Sequence, residues 1–330
     1  MTHVMIIGGG LAGSVAASEL ACGGAKVTIV EKSGRIGGKV RDYGCKATDK
    51  CNNCGVCLVG GLWEKVEKAP DIEILPGYEP ADITGKAGDF SVALKSREGL
   101  RYVNGVSSVL VATGFEEVPA LGGHLQVDGT EGIVRGLALE SLCKQRSADT
   151  FFETAPQRVA FIQCVGSRDV REDAMYCSRV CCSYSTRAAK VIRQYYPTCA
   201  ITFFYMELQA VSGGDYFAQL EGLDIGFIKC RPLKIRGGRP VTVEYENPAD
   251  GEMTTATFDY VMISDGIHSP KDADRLAEIC GLGQDGSGFL KNIGSAADSG
   301  IFLSGCAKGP AKIEEVYADA VAVAKEILAM

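Results

Sequence analysis

The sequence has 330 residues, 46% of them hydrophobic, with a formal net charge of −7. That length supports about two domains with buried cores, the acidic balance speaks against a general nucleic-acid role, and no run of 18 apolar residues is present to span a membrane. Fourteen cysteines are the unusual count; an exported protein pairs them, whereas a cytoplasmic one keeps thiols for metals or redox work. The first apolar segment, Val4 to Ala17, is broken by Gly8, Gly9 and Gly10 and lacks a basic lead. It reads as strand, turn and helix, not as a signal peptide, so a cytoplasmic protein is expected. Cys22, Cys143, Cys199, Cys230 and Cys280 are scattered and read as small core hydrophobes.

His3 to Ile7 is a short apolar strand, and Gly8-Gly9-Gly10-Leu11-Ala12-Gly13 fits G-x-G-x-x-G. Ser14 to Ala21 continues as a helix of small residues, and Val27 to Val30 is the next strand, closed by Glu31 18 residues after Gly13. Gly8 permits the tight turn, Gly10 lets a pyrophosphate approach, and Gly13 lets helix and strand pack closely. The helix start at Leu11 and Ala12 faces the phosphates, and Glu31 accepts from a ribose hydroxyl.

The continuation Glu31-Lys32-Ser33-Gly34-Arg35-Ile36-Gly37-Gly38-Lys39, an acid, a base and then a glycine pair, resembles the FAD-binding two-dinucleotide-domain flavoproteins. The resemblance implies that Gly37 and Gly38 lie along the pyrophosphate and ribityl chain, with Lys32 and Lys39 in the same stretch. Ser108 to Gly114 is similar to that family's strand ending in Ala112-Thr113-Gly114, and Gly300 to Cys306 to its final strand before the flavin. There the family usually has Gly-Asp where this chain has Gly305-Cys306. Contact at that point is therefore expected from backbone N–H groups at the start of the last helix, near Ile313. The apolar stripe of that helix, Ile313, Val316, Tyr317, Ala320, Ala324 and Ile327, reads as core.

Cys45-x5-Cys51-x2-Cys54-x2-Cys57 follows the glycine pair. Three readings stay open for it: ligands of a second iron–sulfur cluster, a dithiol pair facing the flavin, or unligated loop thiols. Short strand signals follow at Ile72 to Leu75 and Ser91 to Leu94, and Gly122 to Lys144 reads as a connector with one amphipathic piece, with a domain crossing near residue 150.

The second half repeats the first. Val159 to Gln163, then Cys164, mirrors Val4 to Ile7, then Gly8; Tyr260 to Gly266 mirrors Val109 to Gly114. The phosphate turn is gone from this copy. Cys164-Val165-Gly166-Ser167-Arg168-Asp169 stands in its place, and without those glycines NAD(P)H binding is not expected. Tyr176-Cys177-Ser178-Arg179-Val180-Cys181-Cys182 follows, so four cysteines fall at C-x12-C-x3-C-C. Four thiolates suit the corners of a [4Fe–4S] cube, with Arg168, Arg179 and Arg187 to offset its charge; soft sulfur ligands suit zinc as well, and spacing alone leaves both open.

These motifs, with the amino-terminal turn, resemble HdrA, the flavin-binding component of heterodisulfide reductase, over nearly the whole chain, and most of all its short form in sulfur-oxidising complexes. The resemblance implies an α/β fold of two dinucleotide-binding-type (Rossmann-like) domains, as in a thioredoxin-reductase-like FAD flavoprotein. Residues 1–150 and 285–330 would bind FAD, and residues 151–284 would carry a [4Fe–4S] cluster on Cys164, Cys177, Cys181 and Cys182. It further implies a cytoplasmic dimer that joins HdrB-like and HdrC-like subunits and transfers electrons in sulfur-compound oxidation, with Arg187, five residues past Cys182, near the flavin N5. The alternatives are a stand-alone flavin disulfide reductase using Cys51 and Cys54, or a non-catalytic assembly module.

Overall fold

The computed structural model describes residues 2–117, 125–145, 151–209 and 216–330. Contacts divide the chain into two compact units: Met1–Arg41 with Gly55–Glu116 and His268–Met330, and Asp42–Cys54 with Glu117–Ile267. The sequence reading puts the main crossings near 150 and 285; the units divide after Glu116 and after Ile267. Residues 146–150, at the expected crossing, lie outside the described residues, as do residues 122–124 of the connector. The rest of the connector holds the strand Ile133–Arg135 and the helix Gly136–Gln145.

In the first unit five parallel strands run in the order Ile301–Leu303, Ser108–Val111, His3–Ile7, Lys26–Glu31, Ile72–Pro76. Val4, Met5, Ile6 and Val109 to Val111 are wholly buried, because a central parallel strand is covered on both faces and so is written as an unbroken apolar run. Helix Leu11–Cys22 packs on helix Ile313–Leu328. Val316, Ala320, Ala324 and Ile327 of the last helix are buried, so most of its stripe is core. A three-stranded antiparallel sheet, Glu79–Lys86, Asp89–Ser96 and Gly99–Val106, completes the unit.

The second unit repeats the plan. Its parallel sheet runs Ile133–Arg135, Tyr260–Asp265, Arg158–Val165, Ala200–Phe204, Ile225–Ile228. Phe161 stacks on Phe203 with ring centroids 4.7 Å apart in its core. His3–Ile7 in the first sheet and Arg158–Val165 in the second sit centrally, the next two strands lie to one side, and a much later strand, Ser108–Val111 or Tyr260–Asp265, pairs on the other; the second sheet differs in that its earliest strand, Ile133–Arg135, forms the far edge. Such a sheet leaves a crevice beyond the carboxyl ends of its central strands, where neighbouring connections part in opposite directions. That crevice lies after Ile7 and Val111 in the first unit and after Val165 and Asp265 in the second.

Candidate functional site: a dinucleotide turn and a four-thiol loop

In the first unit the glycine turn is sterically enforced. A Cβ on Gly8, whose φ is +103°, would sit 2.6 Å from the Ala112 carbonyl oxygen, and one on Gly13 would sit 1.9 Å from that of Gly8. A Cβ on Gly10 would meet nothing within 4 Å, so open space faces the helix start. Gly10 caps helix Leu11–Cys22 with no side-chain hydrogen bond, and no acid lies in its first turn, which leaves the positive helix end available to an anion. Leu11 and Ala12, on that first turn, are buried. Glu31 braces the turn: one oxygen accepts from the Gly9 N–H and the other from the Ser33 N–H, both at 2.8 Å.

The second glycine pair folds back over the first turn. Gly37 N–H donates to Gly9 O at 2.7 Å, and a Cβ on Gly38 would lie 3.1 Å from Gly10 Cα. Lys39 donates to the Phe115 carbonyl at 2.5 Å, lies over the Phe115 ring and pairs with Glu116, which Lys32 also meets. Gly8, Gly10, Glu31, Lys39 and the Ala112-Thr113-Gly114 strand end thus converge, and the buried Thr113 hydroxyl has no hydrogen-bond partner among the described residues. Open space at Gly10, an uncapped helix start and an orphaned Thr113 fit a dinucleotide.

At Gly305 the geometry differs from the expectation of free backbone donors. Gly305 is packed so closely that a Cβ added there would lie 2.8 Å from the Ala12 side chain, but its N–H donates to Asp319 Oδ2 at 2.9 Å. The Lys312 N–H before Ile313 donates to Glu315. Cys306 is buried, its thiol 3.6 Å from the Ala311 carbonyl, and burial pushes its pKa up to about 11. Sequence reasoning missed Asp319. Burial alone would raise its pKa, yet Lys308, the Gly305 N–H and the Ser304 hydroxyl together hold it below the usual carboxylate value. Its position one residue before Ala320, beside the buried stripe, was the signal available.

In the second unit a loop of thiols occupies the crevice. Cys181 donates to the Asp265 carbonyl at 3.3 Å, the Ile267 N–H donates to the Ser178 hydroxyl at 2.9 Å, and the Tyr176 hydroxyl to the Ile267 carbonyl at 2.8 Å. Cys164 to Cys182 therefore closes over Asp265–Ile267. Asp265 stands where the first unit has Thr113; Arg135 pairs with it at 2.8 Å and the Gly136 N–H donates to it at 2.9 Å. Cys164, Arg168 and Arg179 have φ of +61°, +55° and +62°, conformations that non-glycine residues hold only under constraint and that gather at functional sites.

Cys164, Cys181 and Cys182 are buried and Cys177 is half-buried. Burial raises the thiol pKa of Cys164, pushes that of Cys182 up to about 11 and that of Cys181 well above its ordinary value. Charge on neighbouring thiols adds to the rise: Cys181 senses the other three, Cys182 senses Cys164 and Cys177, and Cys164 senses Cys177. The thiols thus share one environment, in which bare thiolates are disfavoured and a cationic group would replace their protons. Among the described residues no three His, Cys, Asp or Glu side chains lie close enough to hold one metal ion. Zinc draws its sulfurs to about 2.3 Å from a single centre; a cube spreads them, one to each corner iron. Both amide atoms of buried Gln163, the strand residue before Cys164, and Nη1 of Arg168 are buried and unpartnered among the described residues. Four thiols that sense one another's charge are the candidate ligand set of this unit.

Arg187, on helix Cys181–Tyr195, donates from Nε to the Asn52 carbonyl at 2.8 Å and from Nη2 to the Asn53 carbonyl at 2.5 Å. Those carbonyls lie between Cys51 and Cys54 in the Asp42–Cys54 segment, which belongs to this unit, whereas Cys57 belongs to the first. Cys45, Cys51 and Cys57 are exposed and Cys54 is half-buried. The segment is pinned again where the buried Lys46 pairs with Glu140 and donates to the Gly44 carbonyl.

Two repeated dinucleotide folds, the first with its glycine turn intact, make an α/β architecture shared with solved thioredoxin reductases. A T. acidophilum thioredoxin reductase superposes with a TM-score of 0.68 at 19% identity, covering all of this chain and 99% of that one, and a Lactococcus lactis thioredoxin reductase with 0.66 at 18%, covering 99% and 98%. Residues 6–56 match the family model of the NAD(P)-binding Rossmann-like domain. In sequence the chain is similar, over nearly its whole length, to HdrA components of heterodisulfide reductases. It is 26% identical to HdrA of the ferredoxin:CoB-CoM heterodisulfide reductase of Methanosarcina mazei, over 99% of this chain and 53% of that protein. It is 25% identical to HdrA of the H(2):CoB-CoM heterodisulfide,ferredoxin reductase of Methanothermobacter marburgensis, over 96% and 62%. The chain thus spans between about half and two thirds of the curated relatives it matches. Among the described residues no helix is long and apolar enough to cross a membrane.

Proposed function

We propose that this chain is an oxidoreductase subunit that holds FAD in its first unit and a [4Fe–4S] cluster in its second, within a heterodisulfide-reductase-like complex. FAD exchanges electrons singly or in pairs, and an iron–sulfur cluster exchanges them singly, so together they connect a two-electron donor to a one-electron path. Gly8, Gly10, Leu11, Ala12, Gly13, Glu31, Lys32, Gly37, Gly38, Lys39, Ala112, Thr113, Gly114, Gly305, Cys306 and Ile313 make up the flavin side of this reading. Cys164, Cys177, Cys181 and Cys182 make up the cluster side, and Arg187 supplies a fixed positive charge. The observation that carries the reading is the four-thiol loop over Asp265–Ile267, where the sister fold keeps its phosphate turn. HdrB-like and HdrC-like partners, a homodimer, a cytoplasmic setting and a part in sulfur-compound oxidation follow from the likeness to the short form of HdrA and belong to the same proposal.

The test is composition. Anaerobically purified protein is expected to carry FAD with iron and acid-labile sulfide, and replacing the four cysteines by serine is expected to remove the iron and keep the flavin. Flavin without iron or sulfide in the unaltered protein sinks the cluster half. A second reading, a flavin disulfide reductase working through Cys51 and Cys54, is favoured by the exposure of Cys51; it requires that Cys51→Ser abolish nicotinamide-driven disulfide reduction.

A further inference from the structure

Arg168 is the fifth residue of the loop that begins at Cys164, held with its φ at +55°. Its guanidinium is split between two environments. Nη2 donates to Glu207 Oε2 at 3.1 Å, while Nη1 is buried and unpartnered among the described residues. The Arg168 side chain keeps 22% of its exposure and Glu207 60%, so the inner half of this ion pair is shielded and the outer half is wet. The Arg168 charge reaches the thiols: it opposes the effect of burial on Cys164 and on Cys182. Both ends of the pair are tied to the same loop. The Arg168 N–H donates to the Tyr176 carbonyl at 3.0 Å, and the Cys182 thiol lies 4.0 Å from the Glu207 carbonyl.

We infer that Arg168 is a positioning residue that aims Nη1 at the sulfur of the group held by the four cysteines, and that Glu207 sets how much of its positive charge reaches that group. The inference rests on the proposed cluster. Adding an electron makes an iron–sulfur group more negative, so a nearby cation and a donated N–H favour the reduced form and raise its midpoint potential. Glu207 pulls the same charge outward and lowers it. The two residues therefore act with opposite sign on one quantity, a behaviour that loss of packing does not imitate. Arg179 and Arg187 do not share this arrangement: Arg187 spends Nε and Nη2 on Asn52 and Asn53, and the Arg179 backbone N–H already donates to Cys177 Sγ at 3.3 Å.

The test is a redox titration of the full chain, followed by the electron paramagnetic resonance signal of the reduced cluster, in the unaltered protein and in Arg168→Gln, Arg168→Lys and Glu207→Gln. Iron content and flavin content are measured on each sample. The expected result is a lower midpoint potential in Arg168→Gln, a smaller fall in Arg168→Lys, and a rise in Glu207→Gln, with iron retained. Equal potentials in all four proteins, or shifts of one sign in Arg168→Gln and Glu207→Gln, overturn the inference and leave the cluster standing. Absence of a cluster signal and of iron in the unaltered protein overturns the cluster and the inference together.

Discussion

Gly10 and Gly13 lie three residues apart and do different work. Gly13 has no room for a side chain, because its neighbour across the turn is the Gly8 carbonyl. Gly10 has room, and what it keeps open is the place of a ligand. Gly10→Val is therefore expected to leave stability within about 0.5 kcal/mol of the unaltered protein. It is expected to weaken FAD binding by at least about tenfold, which corresponds to about 1.4 kcal/mol. Denaturant unfolding of the flavin-free chain and flavin titration measure the two effects separately; equal loss of both would mean that Gly10 serves the fold. The roles of Gly8, Gly10 and Gly13 were legible in the sequence because spacing alone encodes them. Asp319 and Asp265 were not, because a carboxylate that accepts from distant backbone groups leaves no periodic mark.

The Asp42–Cys54 segment shows how a stretch with little regular secondary structure is held. Its anchors are a buried ion pair, Lys46 with Glu140, whose side chains are 3% and 9% exposed, and the Arg187 fork on the Asn52 and Asn53 carbonyls. Burial pushes the Glu140 pKa up, and Lys46 first among its neighbours pulls it back. Removing one member of such a pair strands a charge in a dry site, so Glu140→Ala is expected to cost about 3–5 kcal/mol, while Lys46→Met with Glu140→Leu recovers most of it. Denaturant unfolding of both variants checks this; equal stabilities would show that the pair is wet in solution. Arg187→Met removes two charge-assisted bonds and is expected to speed alkylation of Cys51 about tenfold relative to exposed Cys22, with Arg187→Lys between. Mass spectrometry of iodoacetamide-treated protein reads the rates, and an unchanged Cys51 rate would mean that the fork does not restrain the turn. From the sequence the segment was a polar loop of thiols with three open readings. Its attachment was not legible, since Lys46 finds Glu140, and Arg187 finds Asn52, across more than ninety residues.

For the molecule as a whole, the repeated α/β plan was readable from two apolar strands with matching successors. The unit limits were less so, because the divisions at 116 and 267 fall inside stretches whose composition does not change. The repeat also makes a negative expectation concrete. The mouth of the second sheet is closed by Tyr176 and Ser178, and of the glycine turn only Gly166 is left, so NADPH has neither a G-x-G-x-x-G turn to approach nor a free turn to occupy. Titration of the flavin-loaded protein with NADPH is expected to show no saturable binding below about 1 mM, and tight, saturable reduction of the flavin would show that a nucleotide site exists after all.

The central sheet of the first unit contains one strand, Ile301–Leu303, that is translated after every strand of the second unit's central sheet. On the ribosome the later-encoded lobe therefore has its last internal strand, Tyr260–Asp265, in hand while the earlier one still lacks an edge and the covering helix Ile313–Leu328. The amino-terminal strands must wait, half-clad, until that edge and helix emerge, a stage at which exposed strand edges recruit chaperones or wrong partners.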